Sequence, residues 1–226
     1  MQPEALSTWA DVAKVIPRLA DRKWLFRGES QCHRPLKPKA GREGDALKVE
    51  FNSDHERAAL NLFKRQARPY ITHHPQSDAE WLAIAQHHGR HTRLLDWSES
   101  FFIAAYFAVD KAGTCGDAII YGVSGIPETS REDETDPFGI QRVSLYRPPH
   151  ISPRIPAQQS VFTLHPDPTV TFEGPELRSW TILDQSCMAI KRALDACGVN
   201  QSSLFPGLDG LATYIGWRYK WGKLDQ

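Results

Sequence analysis

The run Trp81-Leu82-Ala83-Ile84-Ala85-Gln86-His87-His88-Gly89-Arg90-His91-Thr92-Arg93-Leu94-Leu95-Asp96-Trp97 constrains the fold of this chain more than any other. Its apolar first half has helical spacing, Gly89 supplies a left-handed stop, and Thr92 to Trp97 is then expected to be extended. Between the apolar segments, one helix-to-strand turn holds His87, His88, Arg90, His91, Arg93 and Asp96. Ordinary surface loops rarely concentrate titratable groups in this way, so the turn is a candidate site as well as a structural joint.

The rest of the chain supplies partners for both halves of that joint. Ser7-Thr8 can cap a short helix with Trp9, Val12, Val15 and Ile16 on its apolar face, limited by Pro17. Lys23-Trp24-Leu25-Phe26-Arg27-Gly28 reads as a strand, followed by a basic loop with two prolines from Cys32 to Gly44. Ser53-Asp54-His55-Glu56 and Ser77-Asp78-Ala79-Glu80 both have capping-box spacing and predict two helices, one to about Tyr70 and one closing at Gly89. Ser98 or Ser100 can cap a largely buried helix through Phe101, Ala104, Ala105, Phe107 and Ala108. Strands are expected at Asp117–Val123, Arg142–Tyr146, Gln159–Leu164 and Trp180–Leu183, and helices at Gln185–Ala196 and Leu208–Trp217. Residues 127–137, rich in acids between Glu128 and Asp136, read as a mobile solvated loop. The pattern is α+β: a mixed, mostly antiparallel sheet flanked by helices.

At 226 residues, with no internal repeat and no Gly/Ser- or Pro-rich linker, the chain reads as a single domain. Twenty-seven basic residues balance twenty-seven acidic ones, so net charge does not draw it to nucleic acid or an anionic membrane. Neither a leader nor an apolar run of bilayer length is visible, which gives the expectation of a cytoplasmic protein without a membrane partner. Cys32, Cys115, Cys187 and Cys197 never form a C-x-x-C pair and read as reduced packing thiols. His87 and His91 are four apart, as in helical zinc sites, but Gly89 interrupts the helix and no further ligand stands out, so no metal is expected.

Leu25-Phe26-Arg27-Gly28-Glu29-Ser30, Ala85-Gln86-His87-His88-Gly89, Thr92-Arg93-Leu94-Leu95-Asp96-Trp97-Ser98 and Ala104-Ala105-Tyr106-Phe107-Ala108 together resemble the FRG domain, named for its Phe-Arg-Gly motif. The resemblance continues through Ala157-Gln158-Gln159-Ser160-Val161-Phe162 and Leu204-Phe205-Pro206-Gly207-Leu208-Asp209-Gly210-Leu211, nearly the whole chain, although Ser160 stands where the family usually has glycine.

A weaker resemblance is to ADP-ribosyltransferases of the toxin type. These carry an Arg on a first strand, a serine-rich strand followed by an A-x-x-F-A helix, and a late strand with a catalytic Glu. Arg27-Gly28, Trp97-Ser98-Glu99-Ser100 before Ala104–Ala108, and Gln158-Gln159-Ser160 follow that order. The resemblance implies an ADP-ribosyltransferase-like fold, NAD or another nucleotide as substrate, and ADP-ribosyl transfer or NAD hydrolysis in a stress-response or phage-defence effector. With it go catalytic roles for Arg27, Asp96 and Gln158 and binding roles for Arg27, Gln86, Thr92, Arg93 and Ser98; independently, His87 is a candidate general base because imidazole titrates near working pH, and Gly28 leaves room for close approach of a ligand. Cleaving the ribose–nicotinamide bond builds positive charge, which calls for a carboxylate. The late strand offers only Gln158, Gln159 and Ser160 there, so Asp96 is the acid best placed by sequence.

Four of these residues also have an architectural reading. Arg27 can pair with Glu29 or Glu43, Gln86 can be a satisfied buried amide, and Arg93 with Asp96 can fix the turn. For the whole chain, two further functions stay open. One is a non-catalytic nucleotide sensor; the other is nucleic-acid binding or processing through Arg34, Lys37, Lys39, Arg42, Lys64, Arg65 and Arg68.

Overall fold

A computed structural model describes residues 3–19, 23–32, 34–42, 51–71, 74–111 and 116–220. The strands are β1 (Glu4–Leu6), β2 (Leu25–Glu29), β3 (Leu94–Ser98), β4 (Ala118–Ser124), β5 (Ser144–Tyr146), β6 (Ser160–Leu164) and β7 (Glu176–Ile182). The helices are α1 (Trp9–Val15), α2 (Ser53–Ala67), α3 (Asp78–His87), α4 (Phe101–Val109), α5 (Arg131–Thr135), α6 (Arg154–Gln158), α7 (Asp184–Ala196), α8 (Gln201–Leu204) and α9 (Leu208–Lys220).

The strands form one sheet in the order β1-β7-β4-β2-β3-β6-β5, antiparallel except for the β1–β7 pair. This is the mixed, mostly antiparallel α+β arrangement that the alternating patterns predict. Side chains alternate across it as strand geometry requires. On β2, Phe26 joins a core with α1, α4 and α7, while its neighbour Leu25 joins Trp97, Val123 and Phe172 on the opposite face. A third apolar cluster packs Leu60 of α2 and Leu82 of α3 against Leu94, Phe162 and Leu164.

The central joint of the sheet is its weakest. β2 pairs with β4 at five positions and β3 pairs with β6 at five, yet β2 and β3 meet at the single register Phe26↔Ser98. Beyond that pair the two strands part, and side chains rather than backbone hydrogen bonds bridge the opening.

Local chemistry explains the ends that the sequence predicts. Thr8 and Asp11 form a capping box on α1, Ser77 accepts from the Glu80 N–H, and Ser100 caps α4. Gly89 adopts φ +92°, the left-handed stop that ends the helical run before β3.

Other expectations are corrected. Asn52 rather than Ser53 caps α2, its side chain accepting from the His55 N–H at 2.9 Å. The 127–137 stretch is not simply a loop, because α5 occupies its middle. Ser130 and Asp133 cap that helix reciprocally, and Glu132, Asp133 and Glu134 lie in its first turn, where the helix dipole favours carboxylates. Thr129 N–H to Leu145 O at 2.9 Å and Leu145 N–H to Pro127 O at 2.8 Å tie the start of the stretch to β5. Glu43 and Cys115, both named from the sequence, lie outside the described residues.

Candidate functional site

The opening between β2 and β3 is bridged by Arg27. Its guanidinium donates to Glu29 through Nε at 3.0 Å and Nη2 at 2.5 Å, and Nη1 donates to the Asp96 carbonyl at 2.9 Å and to Asp96 Oδ2 at 3.4 Å. Burial alone would push the guanidinium down, but the charges of Glu29 and Asp96 outweigh it and raise Arg27 further. Glu29 also accepts from Arg42 Nη2 at 2.9 Å, and against the burial penalty the two arginines hold its carboxyl below the usual range. The architectural pairing of Arg27 with Glu29 is therefore present, and it extends to Asp96.

Asp96 is the open end of this chain. Its Oδ1 accepts from Gln86 Nε2 at 2.6 Å, while the Gln86 carbonyl oxygen accepts from the Thr92 hydroxyl. Both ends of the amide are thereby engaged. The Asp96 side chain remains 48% exposed, against 10% for Arg27. The result is a carboxylate aimed by two donors but still presented to solvent.

His87 stands beside it at the end of α3. Its Nε2 lies 2.9 Å from Ser152 Oγ, and burial, helped by the positive charges of Arg154 and His88, pushes the imidazole down to about 4 against the opposing pull of Asp96. At neutral pH the ring is uncharged, and at so low a pKa it is a weak base that takes a proton only from a group acidified by reaction.

Ser98 and Gln158 close the far side of the joint. The Ser98 hydroxyl donates to the Gln158 carbonyl at 2.8 Å and accepts from the Ser100 N–H at 3.1 Å, so it joins β3 to the turn between α6 and β6. The Gln158 amide donates to the Leu204 carbonyl at 2.9 Å. Gln159, at the turn itself, adopts the left-handed φ of 46°.

Arg27, Gly28, Gln86, His87, Asp96, Ser98 and Gln158 all line one concavity of about 400 Å³. Basic side chains outnumber acidic ones around it: Arg27, Arg34, Lys39, Lys111 and Arg154 against Glu29, Asp96 and Asp110. Such a lining favours an anionic ligand.

Three expectations change in detail. Gly28 lines the cleft, but its missing side chain also makes room for α4: a Cβ there would lie 1.9 Å from the Ala104 carbonyl oxygen and 2.5 Å from the Ala108 nitrogen. Thr92 is fully buried behind Gln86 and supports the cleft without lining it. Arg93 lies outside the cleft, fully buried, and pairs with Glu56 at 2.9 Å rather than with Asp96. Its guanidinium also donates to Ser53 Oγ at 2.8 Å and to the carbonyls of Pro137, His165 and Pro166.

The basic residues named for nucleic acid are in part committed elsewhere. Arg42 is buried against Glu29, Lys64 pairs with Asp78, and Lys39 joins the cleft rim. Among the described residues there is no group of three or more His, Cys, Asp or Glu that could hold a metal ion, and no helix is long and apolar enough to cross a membrane.

Arg154 and Phe205 also line the cleft, and no motif in the sequence gives either of them a site role. The only signal for Phe205 is its place in the late Leu204–Leu211 resemblance, and nothing local marks Arg154. Glu56 fits the spacing of a capping box, which hides its role as the partner of Arg93.

Residues 22–115 match the family model of the FRG domain, supporting the resemblance carried by the Phe-Arg-Gly strand and the His87–Trp97 turn. The match contains Arg27, Gln86, His87, Asp96 and Ser98 but stops before Arg154, Gln158 and Phe205, which complete the cleft. No curated protein and no solved structure matches the chain.

Proposed function

We propose that the cleft at the β2–β3 opening binds NAD or a related nucleotide and that Asp96 serves as the carboxylate of an ADP-ribosyltransferase-like or NAD-hydrolysing site. The observation that carries this reading is Asp96 itself, gripped by Gln86 and Arg27, half exposed, and facing a cavity with a predominantly basic lining. The strands that the transferase resemblance aligns support it: β2 with Arg27, β3 with Ser98 and the late β6 lie side by side.

In this reading Arg27 changes role. Its guanidinium is committed to Glu29 and Asp96, so it orients the carboxylate, and the pyrophosphate falls to rim cations such as Lys39 and Arg154. When the ribose–nicotinamide bond breaks, nicotinamide leaves as a neutral base and oxocarbenium character develops at C1′, which Asp96 steadies electrostatically. Water or an acceptor hydroxyl then attacks C1′ and loses its proton, for which the uncharged His87 is the imidazole lining the cleft.

A non-catalytic nucleotide sensor is the second reading, favoured by one observation: the amide of Gln158 is spent on the Leu204 carbonyl, and no acid stands at Ser160.

Incubation with NAD labelled in nicotinamide separates the two. The enzymatic reading expects release by the wild type and a fall of about two to three orders of magnitude in Asp96→Asn. Binding without release supports the sensor, and neither binding nor release refutes both.

A further inference from the structure

We propose that Phe205, Phe107 and Arg154 form a subsite for the planar heteroaromatic ring of a nucleotide, with Gln158 as its positioning residue; this rests on the nucleotide reading of the cleft. The Phe107 and Phe205 rings meet edge-on with centroids 6.0 Å apart, and the Arg154 guanidinium lies 5.2 Å from the Phe205 centroid. All three line the cleft and are partly exposed. Among the described residues Arg154 has no carboxylate partner, so its charge is available to a phosphate while its flat guanidinium extends the aromatic surface on which a ring can stack.

The placement of Phe205 is built from several directions. Its N–H donates to the Gln201 carbonyl at 3.0 Å, and the preceding Leu204 carbonyl accepts from Gln158 Nε2 at 2.9 Å. The start of α9 presses on it so closely that a Cβ at Gly210 would lie 1.9 Å from the Phe205 carbonyl oxygen. Because the Gln158 carbonyl also accepts from Ser98, the same residue ties the aromatic wall to the strand bearing Asp96. A concavity at Tyr106 and Trp217 differs in kind, since its cation, Lys191, is already bonded to the Asp110 carboxylate at 3.0 Å.

Calorimetric titrations with AMP, nicotinamide mononucleotide and ribose 5-phosphate test the subsite. Phe205→Leu keeps an apolar side chain against the core, and its melting temperature checks the fold. The subsite predicts that Phe205→Leu weakens at least one ring-bearing probe by about tenfold and leaves ribose 5-phosphate unchanged. Whichever of AMP and nicotinamide mononucleotide is affected identifies the ring. Gln158→Leu should show the same selective loss, which a general loosening of the cleft would not produce. Equal weakening of all three probes, or no change in any, overturns the subsite while leaving the nucleotide reading in place. Failure of every probe to bind the wild type overturns both.

Discussion

Two arginine–carboxylate networks flank β3, and they differ in what surrounds them. Arg93 and Glu56 are 0% and 4% exposed, and the guanidinium is further bonded to a hydroxyl and three backbone carbonyls. Arg27 is nearly as buried, but its partner Asp96 opens onto a cleft. The first network holds α2 to the sheet, with its hydrogen-bonding capacity turned inward. The second ends in a carboxylate that is oriented but only half covered. Comparable residue types on neighbouring segments thus serve architecture in one place and form a candidate site in the other, and the difference lies in which end reaches solvent.

The largest expected effect is on the sealed side. Glu56→Ala leaves the Arg93 charge buried without its carboxylate and should cost about 3–5 kcal/mol in denaturant unfolding. A loss below about 1 kcal/mol would mean that the knot is no more structural than the cleft. Asp96→Asn should behave in the opposite way. Asp96 is half exposed and Arg27 keeps Glu29 as its partner, so unfolding should change by about 1 kcal/mol or less while nicotinamide release falls by about two to three orders of magnitude.

Gly28→Ala comes next, with an expected loss of about 1–3 kcal/mol, because the added methyl meets the backbone of α4 at Ala104 and Ala108. A variant as stable as the wild type would return Gly28 to the ligand side of the comparison.

A pH dependence is shared by both regions. Burial holds His165, beside Arg93, and His87, in the cleft, down to about 4. Unfolded histidines titrate near 6.5, so between about pH 6.5 and 4 the unfolded chain binds more protons and stability falls as the solution is acidified. Replacement by Gln should flatten that slope, more for the nearly inaccessible His165 than for His87. Equal slopes in both variants and the wild type would contradict the assignment.

How much of this is legible in the amino-acid order depends on the range of the interactions involved. Gly89, the caps of α1, α3 and α4, and the alternation in β2 and β3 are local properties, set by residues within a few positions of one another. The partner of Arg93 lies 37 residues away in a segment whose S-x-x-E spacing also satisfies a local capping rule, so the local signal masks the distant one. Gly28 resembles room for a ligand because nothing nearby in sequence announces how closely α4 approaches. The opening between β2 and β3 is a matter of register across 69 residues, which no single motif encodes. Candidate residues are therefore legible as a set, whereas the division between those that support the cleft and those that line it is not.

The most direct test of the nucleotide cleft is the difference density of a crystal soaked with ADP-ribose. Ribose density is expected against Asp96 and phosphate density near Arg154 and Lys39, within the β2–β3 opening. Density confined to another surface, or an empty cleft at saturating ligand, would contradict nucleotide binding there.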